Sequence, residues 1–202
     1  MVEQQIAARS VSNAAVLQAM RSVPRHRFAP DHPPELVYSD RPLPIGHEQT
    51  ISQPYIVARM TELVSPDSTD RALEIGTGSG YQAAVLAEVV DSVYTIEIVP
   101  DLAATATKRL RRLGYHNVVV RTGDGYKGWP TRAPFDVIVV TAAPRQIPSP
   151  LIDQLADGGR MILPVGPADT TQNLTLVTKN NGTVSKRQIS PVRFVPFVRD
   201  NH

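Results

Sequence analysis

Beyond about residue 70, short apolar runs alternate with longer segments whose apolar positions recur every three or four residues. ALEI (72–75), SVYTIEI (92–98), NVVVRT (117–122), FDVIVVTAA (135–143) and RMILPVG (160–166) have the first texture. YQAAVLAEVV (81–90), DLAATATKRLRRLGY (101–115) and a segment near 149–156 that ends at Gly158-Gly159 have the second. The spacing predicts strands and helices respectively, with Asp101 as the N-cap of the 101–115 helix and Gly114 as its stop. Strands alternating with such helices imply βαβ units and a mostly parallel sheet. Near-continuous runs such as VIVV (137–140) suit strands covered on both faces. Two more strands, 172–178 and 184–190, joined by Asn180-Asn181-Gly182, predict an antiparallel edge.

The first third of the chain differs. Residues 2–22 are rich in Ala, Gln and Val and read as one or two helices ended by Pro24. Pro24, Pro30, Pro33, Pro34, Pro42 and Pro44 make 24–50 an irregular, extended stretch. Helix resumes around 54–64, with Pro54 in its first turn. The expectation is one α/β domain over 1–202, with a doubly wound, mostly parallel, Rossmann-like sheet. Residues 1–65 form a helical cap and covering segment, 66–202 the core, and the C-terminal strands an antiparallel edge.

Composition narrows the function classes. With 42% hydrophobic residues in 202, the chain has material for a sizeable core. No run approaches the roughly 18 apolar residues of a membrane span, and the N-terminus lacks the pattern of a secretion signal. The absence of cysteine excludes disulfides, thiolate metal sites and a cysteine nucleophile. Basic and acidic residues nearly balance, 21 against 19, and the run Lys108, Arg109, Arg111, Arg112 reads as the solvated face of a helix. A cytoplasmic protein without a nucleic-acid or membrane partner is expected.

The chemistry concentrates in Glu74-Ile75-Gly76-Thr77-Gly78-Ser79-Gly80, the first strand-to-helix turn of the core. An open α/β sheet binds nucleotide-like ligands there, and glycine lets the backbone approach a ligand closely. Glu97 ends the next strand about 20 residues on, where a carboxylate meets ribose hydroxyls. The glycines at 76, 78 and 80 do not make the dinucleotide spacing G-x-G-x-x-G, since position 81 is Tyr. An acid opening the loop disfavours a pyrophosphate. It suits S-adenosylmethionine, which has no phosphate and carries a sulfonium and an ammonium. Asp124, in Gly123-Asp124-Gly125, lies at the same sheet edge and suits the adenine end, although a plain turn residue is the alternative. Thr141, ending the fourth core strand, completes the cofactor set with Gly125. Trp129-Pro130 reads as a packed turn or as an adenine cover.

The methyl acceptor is constrained by what is missing. The Asn/Asp-Pro-Pro-aromatic tetrad of many nucleic-acid amino methylases is absent, because the fourth strand ends Thr141-Ala142-Ala143-Pro144. No catalytic base dyad is evident. A carboxylate acceptor needs none, being ionised at neutral pH with a pKa of about 4. Three alternatives stay open: another acceptor, a catalytically idle cofactor-binding module, and a nicotinamide oxidoreductase with the wrong glycine spacing.

The segments PLPIGHEQTISQPYIVARMTELV (42–64), LEIGTGSGYQAAVLA (73–87), GDGYKGWP (123–130), APFDVIVVTAAP (133–144) and PVRFVPFV (191–198) closely resemble the protein-L-isoaspartate O-methyltransferase family. The resemblance covers roughly residues 22–198. It implies methylation of isoaspartyl carboxylates in damaged proteins and peptides, with S-adenosylmethionine as donor; apart from the resemblance, no metal is expected, and a small monomer is the simpler expectation beside a C₂ or higher oligomer. It places Thr50, Ile51 and Ser52 over the cofactor, with Ser52 as the active-site residue orienting the acceptor; a helix cap before Pro54 is the competing role. It assigns Ile45 and Gly46 to the wall of the substrate site, and Val192, Arg193, Phe194 and Val195 to peptide contacts. Arg193 could equally form an internal ion pair. The family commonly reads Gly-x-Gly-Gln-Thr where this chain has Gly46-His47-Glu48-Gln49-Thr50. Glu48 therefore stands where a glycine is usual, a costly exchange if φ is positive there, and it adds negative charge near an anionic substrate. His47 reads as a surface loop residue without an acidic partner.

Overall fold

A computed structural model describes residues 1–167 and 169–200. Its centre is a seven-stranded sheet in the order β5-β4-β3-β6-β7-β8-β9. The strands are β3 (Arg71–Ile75), β4 (Ser92–Glu97), β5 (Val118–Thr122), β6 (Phe135–Val140), β7 (Leu155–Val165), β8 (Gln172–Asn180) and β9 (Thr183–Val192). The first five run parallel, and β8 and β9 are antiparallel, as the sequence pattern predicts. Asn181 and Gly182, at φ +49° and +73°, form the two-residue β8–β9 turn that needs left-handed residues to match the strand twist. A hairpin of β1 (Leu43–Pro44) and β2 (Thr50–Ile51) stands apart from this sheet.

The helices are α1 (Ala14–Ser22), α2 (Pro34–Val37), α3 (Pro54–Leu63), α4 (Tyr81–Ala87), α5 (Pro100–Arg112) and α6 (Ser149–Asp153). The sheet separates two apolar clusters, and period two decides which residues join each. Ala72, Val137 and Val139 face α1, α3 and α4, whereas Leu73, Ile138 and Val140 face Phe135, Leu151 and Trp129. The first cluster includes Ile6, Val16, Met20 and Phe28, so the N-terminal segment packs into the same core as α4. Arg25 reinforces that junction: it is fully buried, donates from Nε to the Val37 carbonyl at 2.8 Å, and lies 4.8 Å from the Tyr81 ring.

Several local expectations are corrected. The start of the chain forms a π-type turn (Val2–Ile6) and a 3₁₀ turn (Ala7–Arg9) before α1, which Asn13 caps by accepting from Val16 N at 3.1 Å. Asp101 is not the cap of α5. Val99 holds that position, Pro100 opens the helix, and Asp101 sits in the first turn, where its charge still suits the helix dipole. Gly114 does stop α5: at φ +88° it lets Tyr115 N reach back to the Leu110 carbonyl at 3.0 Å. Gly158 and Gly159 do not end a helix. They lie inside β7, whose pairing with β6 shifts between Phe135 and Val137, and such an irregularity tolerates glycine.

Candidate active site

The glycine loop follows β3 at the carboxyl edge of the sheet. Its geometry leaves no room for side chains: Gly76, Gly78 and Gly80 all have positive φ, and a Cβ on Gly76 would stand 2.4 Å from Thr141 Oγ1. Thr141 holds the loop in turn, donating from Oγ1 to the Gly76 carbonyl at 2.8 Å. Glu97 ties the loop to β4, accepting from Gly78 N at 2.7 Å and from Val99 N at 3.0 Å. Gly80 serves packing instead: its Cα faces Leu110 of α5, which a Cβ would meet at 3.3 Å.

Over this loop lies a cavity lined by Gly76, Gly78, Glu97, Gly125 and Thr141, with Thr50 on the opposite wall. An inner recess adds Ile51, Ser52, Thr77 and Ser79. Gly125 is required here, since a Cβ would fall 2.3 Å from Ile75 Cγ2. Next to it, Asp124 is 5% exposed. Its Oδ1 accepts from Tyr126 N at 2.9 Å, while its Oδ2 is buried without a hydrogen-bond partner. The closest cation to that oxygen is Arg199, with Nε at 3.6 Å and the guanidinium 3.7 Å over the Tyr126 ring. Glu74 does not line the cavity. It is fully buried beneath the loop, where burial in the first place, opposed by the Thr95 hydrogen bond and assisted by the Glu97 charge, raises its carboxyl to about 8.

A second cavity adjoins the first and shares Thr50, Thr141 and Val195 as walls. Ser52, Val192, Arg193 and Phe194 line it, so the structure brings the β2 end and the β9 end together. Ser52 does not cap α3. Gln53 is the N-cap residue without a side-chain bond, and the Asp40 carboxylate reaches across to accept from Tyr55 N at 3.1 Å. Asp40 also accepts from Gln53 Nε2 at 2.6 Å and pairs with Arg9 at 2.5 Å. Arg9, stacked 3.6 Å over the Tyr55 ring, becomes part of the wall.

Ile45 and Gly46 are placed elsewhere. Ile45 packs over the glycine loop, its Cδ1 3.3 Å from where a Gly78 Cβ would be, and both residues line a separate recess beside Ser79 and Arg109. His47 has an acidic neighbour after all, Asp101 at 3.9 Å, with both side chains largely exposed. Trp129 is a packed turn residue, edge-on to Tyr94 at 5.6 Å, and does not reach the cofactor cavity. The sequence reading missed Ile98, Ala142, Phe197 and Val198, which supply apolar walls of the first cavity. It also missed Arg9 and Tyr55 in the second. Ile98, next to Glu97, could have been found from its position; Arg9 carries no local signal.

The model of the protein-L-isoaspartate(D-aspartate) O-methyltransferase family matches residues 1–202. The chain belongs to this family. A protein-L-isoaspartate O-methyltransferase of Gloeobacter violaceus is 58% identical over 99% of this chain and 98% of its own length. One of Opitutus terrae is 56% identical over 99% of this chain and 86% of its own. Among solved structures, a protein-L-isoaspartate O-methyltransferase superposes with a TM-score of 0.87 at 32% identity, covering 97% of this chain and 65% of that longer one. A Plasmodium falciparum relative in complex with S-adenosyl-L-homocysteine gives 0.83 at 27% identity, covering 98% and 97%.

S-adenosylmethionine is the methyl donor of this family, and the residues present fit it. Gly76 and Gly125 leave the space a close ligand needs, Glu97 faces the cavity, and Asp124 Oδ2, with Arg199 at 3.6 Å but no hydrogen-bond donor, is an acceptor free to take one.

Proposed function

We propose that this protein methylates the free α-carboxylate of L-isoaspartyl residues in damaged proteins and peptides, with Ser52 orienting the acceptor. The observation that carries this reading is the pair of adjoining cavities whose common walls are Thr50, Thr141 and Val195. The first cavity takes the cofactor and the second the peptide. The cofactor, when bound, supplies an electrophilic methyl on a sulfonium sulfur.

Glu97, already fixed by two backbone amides, would use its remaining lone pairs to hold ribose hydroxyls. Asp124, beside the lining residue Gly125, would hold the adenine end through its free carboxylate oxygen, and Ile98, Phe197 and Val198 would give that end an apolar cover. The glycine loop and the Thr50-Ile51 strand would hold the methionyl portion. On the acceptor side, the Ser52 hydroxyl donates to one carboxylate oxygen and turns the other toward the methyl. The acceptor is its own nucleophile, so no general base is used. Alignment and exclusion of water supply the rate. Arg9 and Arg193, both on the acceptor cavity, offer positive charge to the incoming carboxylate, and the Val192–Val195 segment receives the peptide backbone. The methyl ester is a better leaving system than the carboxylate, so the neighbouring backbone amide closes to a succinimide. Hydrolysis of that ring restores part of the normal aspartate.

The protein works as a cytoplasmic monomer without a nucleic-acid partner. Supporting this, exposed large apolar residues among the described ones are Leu36, Val119 and Val198, on α2, β5 and the segment after β9, and charges nearly balance. No helix among the described residues is long and apolar enough to cross a membrane.

The deciding experiment uses methyl-labelled S-adenosylmethionine with two peptides that differ only in isoaspartate or aspartate at one position. Base-labile label on the isoaspartyl peptide alone is expected. Equal labelling of both, or of neither while the cofactor binds, would refute the acceptor assignment.

A further inference from the structure

Glu74 is fully buried near the end of β3. Its carboxyl is joined to the cofactor loop by hydroxyl groups. Thr95 Oγ1 donates to Glu74 Oε2 at 2.5 Å and lies 2.6 Å from Thr77 Oγ1 on the glycine loop. With the Thr95 proton directed to Glu74, Thr77 donates in the second bond. Glu74 Oε1 is buried and meets no donor in normal hydrogen-bond geometry among the described residues. The flanking strands place Thr95 and Val139 beside it, and the Ala83 backbone N–H of α4 acts on the carboxyl as a weak donor that favours ionisation, outweighed by burial. The charged group acting on it is Glu97, a second acid, which lines the cofactor cavity.

A carboxyl so placed keeps its proton while no positive charge is near, because ionisation would bury an uncompensated charge beside another acid. A cation arriving above the glycine loop changes that balance. S-adenosylmethionine carries a positive sulfur; S-adenosylhomocysteine, the product, has a neutral one. We propose that Glu74 senses the charge of the cofactor, losing its proton to solvent when the sulfonium form binds and regaining one after methyl transfer. The transfer breaks the sulfur–carbon bond and forms an oxygen–carbon bond, so cationic sulfur and anionic carboxylate become a neutral sulfide and a neutral ester. The sulfur's charge is then gone, leaving only the α-ammonium that donor and product share, and Glu74 takes up one proton from solvent to return to its resting state. The residue thereby favours the charged donor over the spent product. The inference rests on the cofactor and on nothing about the acceptor.

The test is titration calorimetry of the intact protein with each ligand separately, at one pH in two buffers of different ionisation enthalpy. The ligands' own amino-group titrations are subtracted. Binding of S-adenosylmethionine is expected to release a large fraction of a proton and S-adenosylhomocysteine almost none, and Glu74→Gln should erase the difference. Affinity for S-adenosylmethionine should rise by up to about tenfold per pH unit between roughly pH 6 and 8 and then level off, while that for the product stays flat. Equal proton release by the two ligands, or a difference that survives in Glu74→Gln, would overturn the proposal. The wild-type comparison stands even if the variant fails to fold. A protein that passes this test yet labels no isoaspartyl peptide would lose its acceptor assignment and keep its charge sensor.

Discussion

Replacing Glu48 by glycine should stabilise the protein. The β1–β2 hairpin closes through Gln49 N donating to the Gly46 carbonyl and Ile45 N to the Gln49 carbonyl, both at 2.9 Å. Its central residues, His47 and Glu48, have φ of +51° and +58°. A side chain in this left-handed region costs about 1–2 kcal/mol. Glycine escapes that cost but gives back about 0.5–1 kcal/mol in backbone entropy. Glu48 is exposed and lines none of the cavities, so little packing is lost. The net gain is then about 0.5–1 kcal/mol, which for a chain of this size raises Tm by about 1–4 °C. Differential scanning calorimetry of Glu48→Gly and Glu48→Ala separates the causes. Alanine keeps the Cβ and should give no comparable gain. If alanine stabilises as much as glycine, the effect is one of charge and the backbone argument fails. Because Glu48 lies outside the acceptor cavity, KM for an isoaspartyl peptide should change by less than about twofold, against the expectation that its charge hinders an anionic substrate. Gly46→Ala, at φ +86° with open space around its Cβ position, should shift Tm in the opposite direction.

Other outcomes follow from the site. Ser52→Ala should lower kcat/KM for an isoaspartyl peptide by about 10- to 100-fold, the loss of a hydrogen bond to a charged group worth about 1.5–3 kcal/mol. Far-UV circular dichroism and S-adenosylhomocysteine affinity should stay unchanged, because α3 does not use that hydroxyl as its cap; a drop in helicity would restore the capping role. Asp124→Asn should weaken cofactor binding by about tenfold or more in equilibrium dialysis, since it removes a charge-assisted acceptor; unchanged binding would return Asp124 to a turn residue. Gly125→Ala should cost about 1–3 kcal/mol in urea denaturation, as its Cβ collides with Ile75. Glu74 makes stability depend on pH. Its folded pKa of about 8 exceeds the ordinary 4.5, so between those values the unfolded chain has shed a proton that the folded chain retains. Stability therefore falls as pH rises through this window, by at most about 1.4 kcal/mol per unit, and levels off above it. Glu74→Gln should flatten that slope in urea titrations at pH 5, 6.5 and 8, and an unaltered slope would show that another group is responsible.

The sequence by itself determined the order of strands and helices, the parallel core and the glycine loop, because each rests on a local signal. Apolar runs of strand length, helical periodicity, and glycines whose φ must be positive all act within a few residues. It also determined the family, through Gln49–Pro54 and Pro191–Pro196, segments more than a hundred positions apart that end up lining one cavity. Where it misled, the deciding contact was distant. The capping alternative for Ser52 fell away because Asp40 takes that role from another segment. Asp101 looked like a cap, but the helix starts two residues earlier, with Val99 as cap and Pro100 opening it. Glu74 is an acid at the mouth of a ligand loop when read along the chain. Only the tertiary structure puts it under that loop with Thr95, and burial rather than sequence neighbourhood decides its charge. Arg9, Tyr55 and the Arg199–Asp124 approach were likewise invisible. Local propensities say where a backbone turns; which side chains meet depends on how separate elements pack, and that is settled only when the core closes.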